Sequence, residues 1–154
     1  MRARTILYAE DEENDIFFLQ YALEQVRSPH ELKAVRDGQK AIEYLAGEGN
    51  FADRKNHPFP SLVLLDINMP KKSGLEVLEW IRRQSKFKSL PVLMLTSSAR
   101  QEDMDRALKL GADDYLSKPG HPVELVRLVQ TVQDRWLSQP TLLPGDPLQE
   151  SASE

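Results

Sequence analysis

Five short apolar runs separated by stretches of helical periodicity constrain this chain more than any other feature. The runs are Thr5 to Ala9 (TILYA), Glu31 to Val35 (ELKAV), Leu62 to Leu65 (LVLL), Pro91 to Thr96 (PVLMLT) and Asp114 to Ser117 (DYLS). Each has the length of a strand, and LVLL carries no polar residue at alternate positions, as a strand covered on both faces requires. The first intervening segment repeats Ile16, Leu19, Leu23 and Val26 at helical spacing, and a second helix is expected around Ala41, Ile42 and Leu45. Val77, Leu78 and Ile81 mark a third helix, Met104, Ala107 and Leu108 a fourth, and Leu125, Leu128, Val129, Val132 and Trp136 the last. Strands alternating with helices imply right-handed βαβ units. The expected fold is therefore α/β, a doubly wound five-stranded parallel sheet with helices on both faces.

The 154 residues suit one domain with a substantial core and are too few to expect two. A formal net charge of -4, with both signs mixed through a charged fraction of 29%, leaves no basic surface for nucleic acid or an anionic membrane. There is no cysteine and no apolar run long enough to span a bilayer, and the N-terminus turns acidic at Glu10 instead of reading as a signal peptide. A soluble cytoplasmic protein is the expected class. Two segments break the alternation. Residues 47–61 (GEGNFADRKNHPFPS) read as an extended surface loop, and residues 139–154 (QPTLLPGDPLQESASE) as a disordered tail with no output domain. The pair Lys71-Lys72 reads as a solvated turn.

In an open parallel sheet, functional groups collect beyond the carboxyl ends of the strands. Here the first strand runs into Glu10-Asp11, the third into Asp66, the fourth into Thr96-Ser97-Ser98, and the fifth through Ser117 into Lys118-Pro119. Each feature has a bland explanation: acids favour a helix N-terminus, hydroxyls cap helices, and lysines are usually solvated. Together they are harder to dismiss, because converging carboxylates repel one another unless a cation joins them. Several carboxylates in one oxygen-rich site suit Mg²⁺, which accepts phosphate oxygens while keeping some of its waters.

The acidic pair Glu10-Asp11, LLDINMPKKSG, LMLTSS and GADDYLSKP resemble, in order and spacing, the motifs of the receiver domain of bacterial two-component response regulators. The likeness runs from Met1 to about Leu137, so residues 1–138 are expected to be the receiver, with flavodoxin-like strand order 2-1-3-4-5. AEDEENDIFFLQYAL, HELKAVRDGQKAIEYL and the long loop before the third strand resemble the stand-alone single-domain regulators paired with bacterial phytochromes. By this resemblance Asp66 is the phosphoacceptor, a carboxylate that attacks a phosphohistidine and holds the group as an acyl phosphate. Asp11, Asp66 and the backbone carbonyl of Asn68 would bind Mg²⁺, or Mn²⁺ in its place, with Glu10 acting through a water. Lys118 and Thr96 would contact phosphoryl oxygens. Tyr115 matches the aromatic switch position, expected to turn from water into a pocket that Thr96 vacates. Asn68 and Ser98 would tune dephosphorylation, and Lys118-Pro119 resembles the family's cis peptide bond. Glu10 stands where many receivers carry aspartate, and its extra methylene moves the carboxylate outward.

The resemblance implies a sensor histidine kinase as partner, a bacteriophytochrome in the narrower reading. On the first helix Phe17, Phe18 and Tyr21 project away from the core face, and Phe18 and Tyr21 match the family's kinase-docking surface. Val123, Val126 and Leu137 lie off the core face of the last helix. Receivers often form homodimers there, through the fourth helix, fifth strand and last helix. On this reading the chain is a phosphoacceptor switch, not an enzyme acting on a substrate. An aspartyl-nucleophile phosphatase of the haloacid dehalogenase type would want a second acid two residues after Asp66, and Asn68 cannot act as general acid or base. A receiver-like scaffold that is never phosphorylated fits poorly with a full motif set. A flavodoxin-like redox role lacks a phosphate-cradling loop.

Overall fold

A computed structural model describes residues 3–138; the tail expected over 139–154 lies outside the described residues. Its elements run in order β1 (Thr5–Ala9), α1 (Glu13–Gln25), β2 (Glu31–Val35), α2 (Gly38–Ala46), β3 (Leu62–Leu65), α3 (Gly74–Arg83), β4 (Val92–Thr96), α4 (Gln101–Leu110), β5 (Asp114–Ser117) and α5 (Pro122–Trp136). The strands form one parallel sheet in the order β2-β1-β3-β4-β5. Every residue of the three central strands is buried, whereas the edge strand β5 is only half-buried. That contrast is why LVLL is continuously apolar and DYLS is not.

The two-residue period of a strand sorts the core into two layers. Leu7, Ala9, Val63, Leu65, Val92 and Met94 meet Ala41, Ile42 and Leu45 of α2, Val77, Leu78 and Ile81 of α3, and Ala107 of α4. Ile6, Tyr8, Leu62, Leu64, Leu93 and Leu95 meet Leu19, Ala22 and Leu23 of α1 and Val129 of α5. Each fully buried aliphatic side chain stabilises the fold by about 1.5–3 kcal/mol relative to exposure.

Four details differ from the sequence expectation. Pro91 precedes β4; it has no N–H to give but its carbonyl still accepts from Val63 (3.0 Å). Leu108 is half exposed, because α4 lies shallowly on the sheet and buries only Ala107. Leu137 is buried, since it continues the i, i+4 row of Val129 and Gln133 just past the end of α5, with its N–H on the Gln133 carbonyl (2.9 Å). Val126 packs partly against that layer, leaving Val123 as the exposed apolar residue of this helix.

Residues 47–61 are folded back, not extended. Gly49–Ala52 form a 3-10 turn. Arg54 donates to the carbonyls of Tyr44 (2.8 Å), Leu45 (3.0 Å) and His57 (3.3 Å), satisfying the end of α2, and its guanidinium lies over the rings of Tyr44 and Phe59. Tyr44 in turn donates to the Pro58 carbonyl (2.7 Å).

Candidate functional site

The site is built by carrying the strand ladders one step too far. β1 and β3 pair as far as Ala9 and Leu65, and then the Asp66 N–H donates to the Ala9 carbonyl (3.1 Å) and the Glu10 N–H to the Val35 carbonyl (2.9 Å). Glu10 and Asp66 thus leave the sheet side by side, continuing the rows of Tyr8 and Leu64 that face α1 and α5. On the other side the Lys118 N–H donates to the Thr96 carbonyl (2.9 Å), fixing the lysine backbone at the same edge. The loop after Asp66 is held down by α3, whose Gly74 N–H reaches the Ile67 carbonyl (2.9 Å).

The side chains converge. Lys118 Nζ contacts Glu10 Oε1, Asp15 Oδ2 (2.8 Å) and Asp66 Oδ2 (3.1 Å). Glu10 is fully buried, and besides Lys118 it accepts from the Tyr8 hydroxyl (3.3 Å) and the Glu12 N–H (3.0 Å). Burial raises the Glu10 carboxyl above its ordinary range, against the pull of Lys118 and the Glu12 N–H. Burial alone would lower Lys118, but its bonds to Asp15 and Glu10 outweigh that and hold it above the ordinary lysine value. Burial, followed by the charge of Glu10, keeps the Tyr8 hydroxyl protonated.

Oxygen atoms of Glu10, Asp11 and Asp66 lie within 4.8 Å of one another. With Asp15 they bring four carboxylates to one edge, and Lys118 supplies a single compensating charge. A hard-oxygen donor set with surplus negative charge fits a divalent cation of the Mg²⁺ type. At the end of β4, Thr96 is fully buried and its Oγ1 accepts the Ser98 N–H (3.2 Å). Ser98 Oγ donates to Asp103 Oδ2 (2.6 Å) in the first turn of α4, and the Ser98 carbonyl accepts the Tyr115 hydroxyl (3.1 Å).

The chain matches the response regulator receiver domain over residues 6–130. It is a member of the response regulator receiver family. The receiver is 36% identical to the response regulator Rcp1 of Synechocystis over 139 residues, 90% of this chain and 92% of that protein. Its fold superimposes on the crystal structure of a phosphorylated cyanobacterial phytochrome response regulator, RcpA, with TM-score 0.83 and 36% identity, covering 92% of this chain and 99% of that one. The Mn²⁺-bound form of Rcp1 gives TM-score 0.79 at 36% identity, covering 90% and 98%.

Within this receiver the expected residues fall into three groups. Glu10, Asp11, Asp66 and Lys118 form one cluster. Thr96, Ser98 and Tyr115 form a second, linked through Ser98 and set on the β4 and β5 side. Phe18 and Tyr21 stand exposed on α1, and Asn68 is exposed in the loop after β3. Phe18 also lines a cleft of roughly 190 Å³ between α1 and the segment after β5, together with Asp15, Lys118, Pro119 and His121.

Two expectations about the receiver are corrected. No described peptide bond is cis, so Lys118-Pro119 is trans, and the lysine is aimed by its N–H on Thr96 and its three carboxylate partners. The Tyr115 ring is only partly open to water: it is half-buried against the layer under α2, α3 and α4, and tied to Ser98. Asp15 and Asp103 were not foreseen. Asp15 lies in the first turn of α1, whereas Asp11 precedes the helix cap, so helical spacing does not pair them.

Proposed function

We propose that this chain is a response regulator whose receiver, residues 1–138, accepts a phosphoryl group on Asp66 from a sensor histidine kinase in the cytoplasm. One observation carries the reading: the buried Asp66 carboxylate ends a buried strand, with Lys118 on one oxygen and the carboxylates of Glu10 and Asp11 beside it. The likeness to a phytochrome response regulator supports a phytochrome-type kinase as donor.

In this reading an Asp66 oxygen attacks phosphorus, an O–P bond forms as the N–P bond of the donor breaks, and the electron pair of that bond returns to the imidazole ring. Mg²⁺ or Mn²⁺, held by Asp11, Asp66 and the Asn68 carbonyl, would offset the charge that otherwise keeps carboxylate and phosphoryl group apart. Glu10 suits an indirect role through water, because its oxygens are already engaged by Tyr8, Glu12 and Lys118. Lys118 shifts from Asp66 onto a phosphoryl oxygen, and the Thr96 hydroxyl donates to another. Asn68 and Ser98 flank the water that later hydrolyses the acyl phosphate.

Readout follows from Ser98, which joins Thr96 to both Tyr115 and Asp103 of α4. Drawing the Thr96 hydroxyl toward a phosphoryl group shifts that link and alters the surface of α4, β5 and α5, where a second copy of the chain would bind. The deciding experiment is incubation with acetyl phosphate and Mg²⁺ followed by intact mass. Wild type gains one phosphoryl mass and Asp66→Asn gains none; an equal gain in Asp66→Asn overturns the assignment.

A further inference from the structure

Lys118 has three acidic partners, and they are not equivalent. Glu10 and Asp66 belong to the cluster that would hold a divalent cation, and Asp66 is also the proposed phosphoryl acceptor. Asp15 belongs to neither role. It sits on α1, 2.8 Å from the ammonium, with its carboxylate partly open to the cleft shared with Phe18, Pro119 and His121. Its distance to Lys118 is shorter than that of Asp66, at 3.1 Å.

This asymmetry has a chemical consequence. While Lys118 is bonded to Asp66 Oδ2, the lysine masks a lone pair on the nucleophile. For transfer, the ammonium has to leave Asp66 and remain close enough to meet the incoming phosphoryl group. A free lysine would lose that position to side-chain entropy, since a flexible four-carbon stem has many rotamers. A carboxylate on a separate, rigid helix can draw Nζ off the nucleophile and still hold it at the edge of the site.

We infer that Asp15 is a positioning residue for phosphoryl transfer: it retains Lys118 between α1 and the incoming phosphoryl group when Asp66 and Glu10 turn to other partners. The inference rests on the phosphoacceptor reading of Asp66. Bulk charge is a competing explanation, and the same helix supplies its control. Glu13 is also in the first turn of α1, and it faces Arg36 at 3.8 Å instead of the site.

The test compares phosphorylation of Asp15→Asn, Asp15→Glu and Glu13→Gln by saturating acetyl phosphate with Mg²⁺, followed by intact mass over time. Asp15→Asn is expected to be slower by about tenfold, in line with one lost charged hydrogen bond. Asp15→Glu should recover most of the rate, and Glu13→Gln should match wild type. In metal-free protein, a double-mutant cycle of Asp15→Asn and Lys118→Met in urea denaturation should show positive coupling. A wild-type rate in Asp15→Asn, equal slowing in Glu13→Gln, or no coupling in the cycle overturns the inference while leaving Asp66 in place. A wild type that gains no phosphoryl mass overturns the phosphoacceptor reading, and this inference with it.

Discussion

A Cβ placed on Gly74 would lie 2.1 Å from the carbonyl oxygen of Asp66. The start of α3 therefore rests directly on the backbone of the proposed nucleophile, a contact that only glycine allows. Gly74→Ala is expected to destabilise the fold by about 2–3 kcal/mol through overpacking against backbone that cannot retreat. Gly120, with nothing within 4 Å of its would-be Cβ, is the control, and Gly120→Ala should stay within about 0.5 kcal/mol of wild type. Urea midpoints measure both, and equal midpoints for the two variants would refute the contact.

His30 makes stability depend on pH. It is buried, its Nδ1 accepts the Arg4 N–H (3.0 Å), and Nε2 has no hydrogen-bond partner among the described residues. Burial, then the charge of Arg4, holds its pKa below the ordinary 6.5. The unfolded chain thus takes up a proton that the folded one resists, so the contribution of His30 is complete above pH 6.5 and falls away as pH drops below it. Wild type should therefore lose more stability than His30→Gln as pH falls below that value. Parallel stability curves for the two proteins between pH 7.5 and 5.5 would count against it.

Asp11 is the most open carboxylate of the three-acid cluster. Asp11→Ala should weaken Mg²⁺ binding by about tenfold or more, since Mg²⁺ depends on carboxylates held at fixed separations. Calorimetric titration with Mg²⁺ gives the comparison. Unchanged affinity would remove Asp11 from the ligand set.

Phe18 and Tyr21 are 43% and 41% exposed, on the side of α1 where Phe18 meets the cleft beside Lys118. Replacing both with alanine should slow transfer from the cognate kinase by about tenfold or more, as expected when aromatic anchors of an interface are removed. Phosphorylation by acetyl phosphate should be unaffected. Equal losses with both donors would indicate damage to the fold, not to docking.

Strand boundaries were legible because a strand buried on both faces must be continuously apolar, and turn residues close each run. The chemistry-bearing strand ends were legible for a related reason: Glu10, Asp66 and Lys118 each follow such a run directly. What escaped was whatever depends on distant pairing. Asp15 carries no signal of its own in the sequence, since its partner Lys118 is 103 residues away. Residues 47–61 looked extended because a single arginine, Arg54, organises them through backbone carbonyls that no sequence pattern marks. Leu137 reads as lying off the core face of the last helix, yet it keeps the row of Val129 and Gln133.

The two-layer core makes the sheet a partition. Asp66, Glu10 and Lys118 meet Asp15 on the α1 side, while Tyr115 packs on the opposite side with the layer under α2, α3 and α4. The central strands that form the middle of the wall are wholly buried. At the rim, Thr96 and Tyr115 are joined through Ser98, which bonds to both. If Asp66 is phosphorylated as proposed, a displacement of the single Thr96 hydroxyl would act on that crossing between the two sides of the sheet.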